Sequence, residues 1–349
     1  MKRSFFIALW IVVVLTVVGA GVWYYFDHYR IRTDNTANLG MSSSSEQSSL
    51  AEIVLEEKSA TLVFAGDAMF DRGVDCRYPD DKILTIFDNL DKDIFVSADF
   101  TFLNLEGPIA KSETTKVCGG SLVFNMPPKT IDALKLLGVD SVSLANNHST
   151  NAGNSGFVYT KELLNSNDIV PIGKYSGVDE DSVKKFEIND QKFAIITLDT
   201  LAENVSIENQ IKTLKAEEYF TFVYPHWGTE YKTVHNSNQA YLAHRWIDQG
   251  ADLIIGGHPH VTQDVEVYKD HFIAYSLGNF VFDQAFSTET QRGLVLQIVL
   301  NDGKASVELK PTKSVLFRPE FLTGDEKAAK QNSFLAPVSD FVKDGIIVL

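Results

Sequence analysis

Short apolar runs recur along the chain, and each stops at a cluster of polar residues or glycine. Runs of this kind, bounded by turn residues, read as strands. Strands are expected over 60–65, 100–105, 140–144, 169–172, 193–198, 219–224 and 251–255. Helical spacing is expected over 83–90, 127–137, 155–164 and 235–249. Pro127-Pro128 and Gly138 bracket the second of these helices as start and stop signals. Strand and helix alternate through the first two thirds, which predicts an α/β fold with a largely parallel sheet and helices outside it. The runs 265–268, 272–275, 294–300 and 306–309 lie close together and read as antiparallel, a second sheet packed on the first. No repeat at solenoid spacing is present.

The N-terminal pattern is different. From Ser4 to Phe26 no residue is charged and most are large and apolar. At about 1.5 Å per residue this run spans a hydrocarbon core of about 30 Å. Lys2 and Arg3 precede it and Trp23, Tyr24 and Tyr25 end it, which favours a cytoplasmic N-terminus and an interfacial aromatic belt. The run continues past Val18-Gly19-Ala20, a weak processing site, and so favours an anchor over a cleaved signal peptide. Either way the body lies outside the cytoplasm. The expected organisation is a membrane anchor over 1–32, a Ser/Asn/Thr-rich linker over 33–52, a folded domain over 53–325 and a C-terminal extension over 326–349.

Charge narrows the partners. The 349 residues carry a formal net charge of −15, and the first 32 contribute +3, leaving −18 on the rest. A body that acidic is a poor match for nucleic acid, whose phosphates need a basic surface. In an oxidising compartment the 2 cysteines, Cys76 and Cys118, form one disulfide or remain two unpaired thiols.

The chemistry collects at strand ends. Asp67 follows the first strand, Asn104 and Glu106 the second, and Asn146, Asn147 and His148 the third. His226 follows a later strand, and Gly256-Gly257-His258-Pro259-His260 closes the series, in a chain with only 8 histidines. In a parallel α/β sheet these ends share one edge, where ligands bind. Two carboxylates, amide oxygens and three imidazoles form a mixed nitrogen and oxygen set suited to Mn, Fe or Zn, in a number that suits two ions.

Six ordered motifs carry a resemblance. They are Gly66-Asp67-Ala68-Met69 with Arg72, Asn104-Leu105-Glu106, Ala145-Asn146-Asn147-His148, His226-Trp227-Gly228-Thr229-Glu230, Gly257-His258-Pro259-His260, and Tyr275-Ser276-Leu277-Gly278-Asn279-Phe280. The series resembles the CapA family, also called PgsA, over 61–282. Its members are membrane-anchored proteins of capsule and poly-γ-glutamate synthesis, within the calcineurin-like metallophosphatases. The resemblance implies a four-layer α/β/β/α sandwich with two divalent metal ions. It implies that Asp67 and His260 bind the first ion, Asn147, His226 and His258 the second, and that Glu106 bridges them. His148 would assist the leaving oxygen and Arg72 would clamp an anionic group. Asn104, Asn146, Glu230, Tyr275, Ser276 and Asn279 would line the rim or support the ligands. Two positions depart from the superfamily pattern and a third from the family's. Met69 stands where a histidine is usual, Asn104-Leu105-Glu106 replaces Gly-Asp, and Asn151 stands where an acid is usual.

The expected protein is a single-pass membrane protein of poly-γ-glutamate or capsule polymer biosynthesis or export, with a metal-dependent phosphoesterase-like site outside the cytoplasm. The alternative is a non-catalytic assembly or polymer-binding subunit of a membrane synthase complex. Expected partners are the lipid bilayer, synthase subunits, and an anionic polymer or phosphoester substrate.

Overall fold

The apolar runs from 60 onward become strands, and their ladders separate into two sheets, in a computed structural model that describes residues 58–112, 117–202 and 205–349. The expected anchor over 4–26 and linker over 33–52 lie outside the described residues. Among the described residues no helix is long and apolar enough to cross a membrane.

The first half of the chain supplies β1 (Ala60–Ala68), β2 (Phe100–Leu105), β3 (Ser141–Ser143) and β4 (Val170–Ile172). These four are parallel and adjacent, in that order. Next come β5 (Val183–Ile188), β6 (Gln191–Asp199), β7 (Phe220–His226), β8 (Leu253–Ile255), β9 (Val265–Tyr268) and β10 (His271–Ala274). They form the second sheet in the order β5-β6-β7-β8-β10-β9, with β6, β7, β8 and β10 parallel. The chain then returns to the first sheet with β11 (Asn279–Val281), β12 (Arg292–Asn301), β13 (Lys304–Val315) and β14 (Arg318–Phe321). Strand β12 lies antiparallel to β1, and β13 pairs with β12 along its length. Finally β15 (Val342–Lys343) and β16 (Ile346–Val348) add an edge, with β16 on β13.

Two expectations are corrected here. The alternating region is not one parallel sheet but two, divided between β4 and β5. The late strands do not form the second sheet together, because β9 and β10 complete it whereas β12 and β13 extend the first. The expected domain boundary at 325 falls inside a helix, and β16 beyond it pairs within the first sheet.

The helices are α1 (Gly73–Arg77), α2 (Asp93–Val96), α3 (Thr130–Leu136), α4 (Gly153–Asn165), α5 (Glu208–Ala216), α6 (Ser237–Gln249) and α7 (Gly324–Leu335). The helical spacing at 83–90 is realised as a 3₁₀ helix, Asp80–Phe87. The strand β2 is buried at every position because both its faces are covered. One face joins a core shared by the two sheets, where Phe64 and Phe102 meet Phe222 and Tyr224 with ring centroids 5.0 Å apart for Phe64–Phe222 and for Phe102–Tyr224. The other face packs Leu103 and Leu105 with Ile86, Phe87, Ile131 and Leu134 of the outer helices. On the far side Val223 and Ile254 pack with Ile211, Leu214, Trp246 and Ile247 of α5 and α6. The layers therefore run helix, sheet, sheet, helix. Both sheets turn the carboxyl ends of their parallel strands to the same site.

Candidate metal centre

The first sheet positions the oxygen donors. The register of β1 against β2 shifts between Phe64 and Asp67, a bulge that ends regular pairing where the polar residues begin. Asp67 Oδ1 accepts from Asn104 Nδ2 at 2.8 Å, and Asp67 Oδ2 accepts the backbone N–H of His258 at 3.1 Å. Asn146 Nδ2 donates to Asn104 Oδ1 at 3.0 Å and so fixes which way that amide faces. Asn146 thus hydrogen-bonds Asn104, which hydrogen-bonds Asp67. Glu106 is fully buried; Asn104 Nδ2 lies 3.4 Å from its Oε2, and its Oε1 has no hydrogen-bond partner.

The second sheet positions the imidazoles. His226 ends β7 and bridges to Gly257 beyond β8. A Cβ at Gly257 would lie 2.7 Å from Asp67 Oδ1, so only glycine lets the loop approach that carboxylate. His258 and His260 then adopt φ values of 98° and 57°. Positive φ in a non-glycine residue costs about 1–3 kcal/mol and persists only where the surroundings impose it. The rings of His226 and His258 lie 4.7 Å apart, and those of His258 and His260 5.9 Å apart. His226 Nε2 is 3.0 Å from Asn147 Oδ1.

Ligand atoms of Asp67, Glu106 and His226 all lie within 4.8 Å of one another, and so do those of Glu230, His258 and His260. The loop after β7 brings in Glu230, which is more open to solvent than the histidines.

His148 faces the same centre, its Nε2 3.9 Å from Glu106 Oε1. Its Nδ1 lies 2.9 Å from Asn151 Oδ1, which also accepts the Phe124 N–H at 2.8 Å. An amide oxygen only accepts, so the His148 hydrogen sits on Nδ1 and Nε2 faces the site. Asn151 therefore holds the ring from the position that the resemblance gives to an acid. Arg72 does not reach freely toward a ligand. Its guanidinium pairs with Asp283, donates to the Ser121 carbonyl at 2.8 Å, and lies over the rings of Phe124 at 4.7 Å and Phe282 at 5.6 Å. Phe124 stacks on His148 at 4.0 Å and Phe282 packs against His260 at 4.8 Å. One arginine thus backs two site histidines through two phenyl rings. The loop carrying Ser121 and Phe124 is tied to α1 by a disulfide between Cys76 and Cys118.

Electrostatics show what the side chains alone cannot balance. Burial raises Asp67 to about 6 against the hydrogen bonds from Asn104 and His258. Burial, and then Asp67, raise Glu106 well above the carboxylate range. Burial lowers His258 to about 4 and His260 to about 3 and holds His226 well below its ordinary value, which leaves three neutral imidazoles. Glu106 Oε1, His226 Nδ1 and His258 Nδ1 are buried without partners. Unpaired buried polar atoms are costly. A cation among them would relieve both carboxylates and use the neutral nitrogens, so the donor set fits divalent metal.

Residues 61–284 match the sequence family described as bacterial capsule synthesis protein PGA_cap. The chain belongs to that family. The PGA biosynthesis protein CapA of Bacillus subtilis (strain 168) is 30% identical over 271 residues, 71% of this chain and 70% of that protein. The capsule biosynthesis protein CapA of Bacillus anthracis is 28% identical over 286 residues, 73% of this chain and 68% of that protein. A solved hypothetical protein from Thermus thermophilus covers 72% of this chain and 97% of its own at 17% identity, with a TM-score of 0.47, too distant to carry an argument.

In this PGA_cap chain some expected rim residues face elsewhere. Tyr275 Oη donates to Glu266 and its ring stacks on His235, on the helix side of the second sheet, and Ser276 Oγ donates to the Val261 carbonyl. Asn279 Oδ1 lies 3.0 Å from His260 Nδ1. Sequence reasoning missed Phe124, Phe282 and Asp283, which stand inside ordinary apolar or turn contexts. It also missed Asp199, buried at the end of β6 in register with His226 and raised to about 6 by burial. Its position at the end of a strand was the available signal.

Proposed function

We propose that this chain acts in capsule or poly-γ-glutamate biosynthesis as a membrane-anchored extracytoplasmic protein, and that its domain is a calcineurin-like metallophosphatase that hydrolyses a phosphoester. Family membership supports the biosynthetic setting. The observation that carries the chemistry is the burial of Asp67 and Glu106 beside three neutral histidines, with unpartnered atoms on Glu106, His226 and His258. Asp67, Glu106, Asn147, His226, His258 and His260 would hold the cations. Divalent ions there supply Lewis-acid polarisation of a phosphoryl oxygen and activation of water.

The chain's own groups do the rest. Asn104 and Asn146 orient the carboxylates. His148 has its Nδ1–H committed to Asn151, so a proton exchanged with a leaving oxygen travels on Nε2. Burial lowers the affinity of His148 for that proton, which favours its delivery. Arg72, fixed by Asp283 and Ser121, adds a positive field toward Glu106 and His148 rather than a free clamp. An anionic polymer or phosphoester substrate, synthase subunits and the bilayer are the proposed partners, and the run over 4–26 is the proposed anchor.

The test is metal analysis of the purified full chain together with hydrolysis of bis(p-nitrophenyl) phosphate. Bound divalent metal and turnover that vanishes in His258→Ala are expected. A folded chain with neither metal nor turnover would leave the polymer-binding or assembly role as the reading.

A further inference from the structure

We infer that the carboxyl edge of the two sheets is a lipid-facing surface, which seats on a bilayer so that the site takes a phosphoester carried by a lipid. The lipid contact stands on the residues of that edge. The substrate class rests on the phosphoesterase reading above, and the anchor proposed there supplies the bilayer.

Large apolar side chains stand open around the site. The loop after β2 brings the Ser121 carbonyl to the Arg72 guanidinium and stacks Phe124 on His148. Between these two contacts it leaves Leu122 and Val123 in solvent, Leu122 at 76% exposure. Across the site, the loop after β7 lays the Tyr231 ring over His260 with centroids 6.2 Å apart. Phe286 stands edge-on to Tyr231 at 5.2 Å and is 66% exposed. Val234, on the same loop as Tyr231, is exposed as well.

A second observation comes from a different part of the chain. Val315 pairs with Arg318 in the hairpin between β13 and β14, and the two residues between them, Leu316 and Phe317, hold φ values of 54° and 71°. Hairpin turns with two positive φ values normally carry Asn-Gly, and bulky residues are strained there. Phe317 packs against the helix-side core of the first sheet, whereas Leu316 is 57% exposed. Arg292 pairs with Lys313, which sets this turn beside the start of β12 and so at the carboxyl end of β1. Tyr78, just past α1, donates to the Leu316 carbonyl at 2.7 Å. The fold thus tolerates backbone strain to hold a leucine outward on the same edge.

Grouped exposed apolar side chains mark a contact surface. Two features select lipid as the occupant. Aromatic rings beside a cation suit the boundary between headgroups and acyl chains, and Tyr231 and Phe286 stand beside the exposed Lys232. The chain also has the reach. It enters β1 at Ala60, at the edge remote from the site, and the proposed anchor ends at Phe26. Residues 27–57 could extend roughly 100 Å, against about 30 Å for the length of β1. The carboxyl edge can therefore turn to the bilayer.

The experiment uses the full chain reconstituted in vesicles of phosphatidylcholine, a neutral lipid chosen because the body is acidic. Cys76 and Cys118 are paired, so a single added cysteine carries a nitroxide label alone. Val234→Cys, Phe286→Cys and Leu316→Cys on the edge are compared with Val158→Cys on α4 and Tyr241→Cys on α6, which are also exposed. Edge labels should collide more with lipid-soluble oxygen than with a water-soluble nickel chelate, and helix labels the reverse. Leu122→Ser combined with Phe286→Ser should lower kcat/KM for hexadecyl p-nitrophenyl phosphate about tenfold, chiefly through KM, the scale of losing buried apolar side chains. It should leave hydrolysis of bis(p-nitrophenyl) phosphate unchanged. All variants should unfold at the wild-type temperature, which separates lost contact from misfolding. Edge labels as open to the chelate as the helix labels overturn the inference. Edge labels closed to both reagents overturn it in favour of a protein partner or a second copy. Equal losses on both esters overturn the lipid-carried substrate. Edge labels in lipid with neither ester hydrolysed support the lipid contact and overturn the phosphoesterase reading. A chain that does not enter the vesicles overturns the anchor and the inference together.

Discussion

Where β1, β2 and β3 reach the site they carry Asp67, Asn104, Glu106 and Asn147, whereas β7 and β8 reach it with His226, His258 and His260. The first sheet brings mostly oxygen and the second mostly nitrogen, with His148 crossing on one side and Asp199 and Glu230 on the other. The two sides are also held by different means. The oxygen side relies on a chain of amides, Asn146 to Asn104 to Asp67, on backbone that keeps a negative φ. The nitrogen side relies on a loop with φ of 98° at His258 and 57° at His260. The cost of the first is electrostatic and that of the second conformational. A cation at the point where the two sheets meet would offset both.

Four experiments break or sharpen this comparison. The largest effect concerns the core that joins the sheets. Phe102→Ala and Phe222→Ala should each cost about 3–5 kcal/mol, read by urea unfolding. A near-neutral result on one side would mean that the core is not shared. Next, the two sides should respond to pH with opposite sign when chelator is present. Asp67 has a folded value of about 6 against an ordinary 3.8, so the folded state holds the extra proton. Stability from this residue therefore falls as pH rises from about 4 to about 6, by roughly 3 kcal/mol. Asp67→Asn should remove that fall and stabilise the chelated protein at pH 7. His260 has a folded value of about 3 against an ordinary 6.5, so its contribution is complete above 6.5 and is lost as pH falls. Denaturation series across pH check both slopes, and slopes of the same sign would contradict the assignment.

A smaller effect tests the support of one ligand. Asn279→Ala should lower Zn²⁺ affinity about 10- to 100-fold by releasing the His260 ring, measured by competitive chelation. The smallest concerns the helix layers. Asn236 accepts the N–H groups of Asn238 and Gln239 in a capping box before α6, whereas Lys129 before α3 makes no side-chain cap. Asn236→Ala should cost about 1 kcal/mol in thermal unfolding and Lys129→Ala close to nothing.

Much of this centre was legible in the order of residues. A strand that ends at the site announces itself by an apolar run followed by Asp67, Asn104 or His226, and parallel direction follows from alternation with helices. Two sheets were expected, but which strands each would take was not legible. The runs at 193–198 and 219–224 are as apolar as those at 100–105, and nothing local says which neighbour each will pair with. The same limit hid Phe124 and Phe282. Their role depends on Arg72 lying between them, and that contact joins segments far apart in the chain. Met69 illustrates the reverse case: the lack of a histidine there was plain, but only the packing shows that its side chain joins Phe124 and Phe282.

The strand β12 has a consequence for anyone trimming this protein. The family match stops at 284, yet β12, β13 and β16 run from 292 to 348 and complete the sheet on the open flank of β1. The family match is thus smaller than the unit that folds. A fragment cut at the shared boundary would present β1 as a bare edge, with its Ala60–Phe64 ladder groups free to capture another chain. Such a fragment should aggregate through the strand that carries Asp67, and loss of metal binding in it would report strand capture rather than a missing ligand.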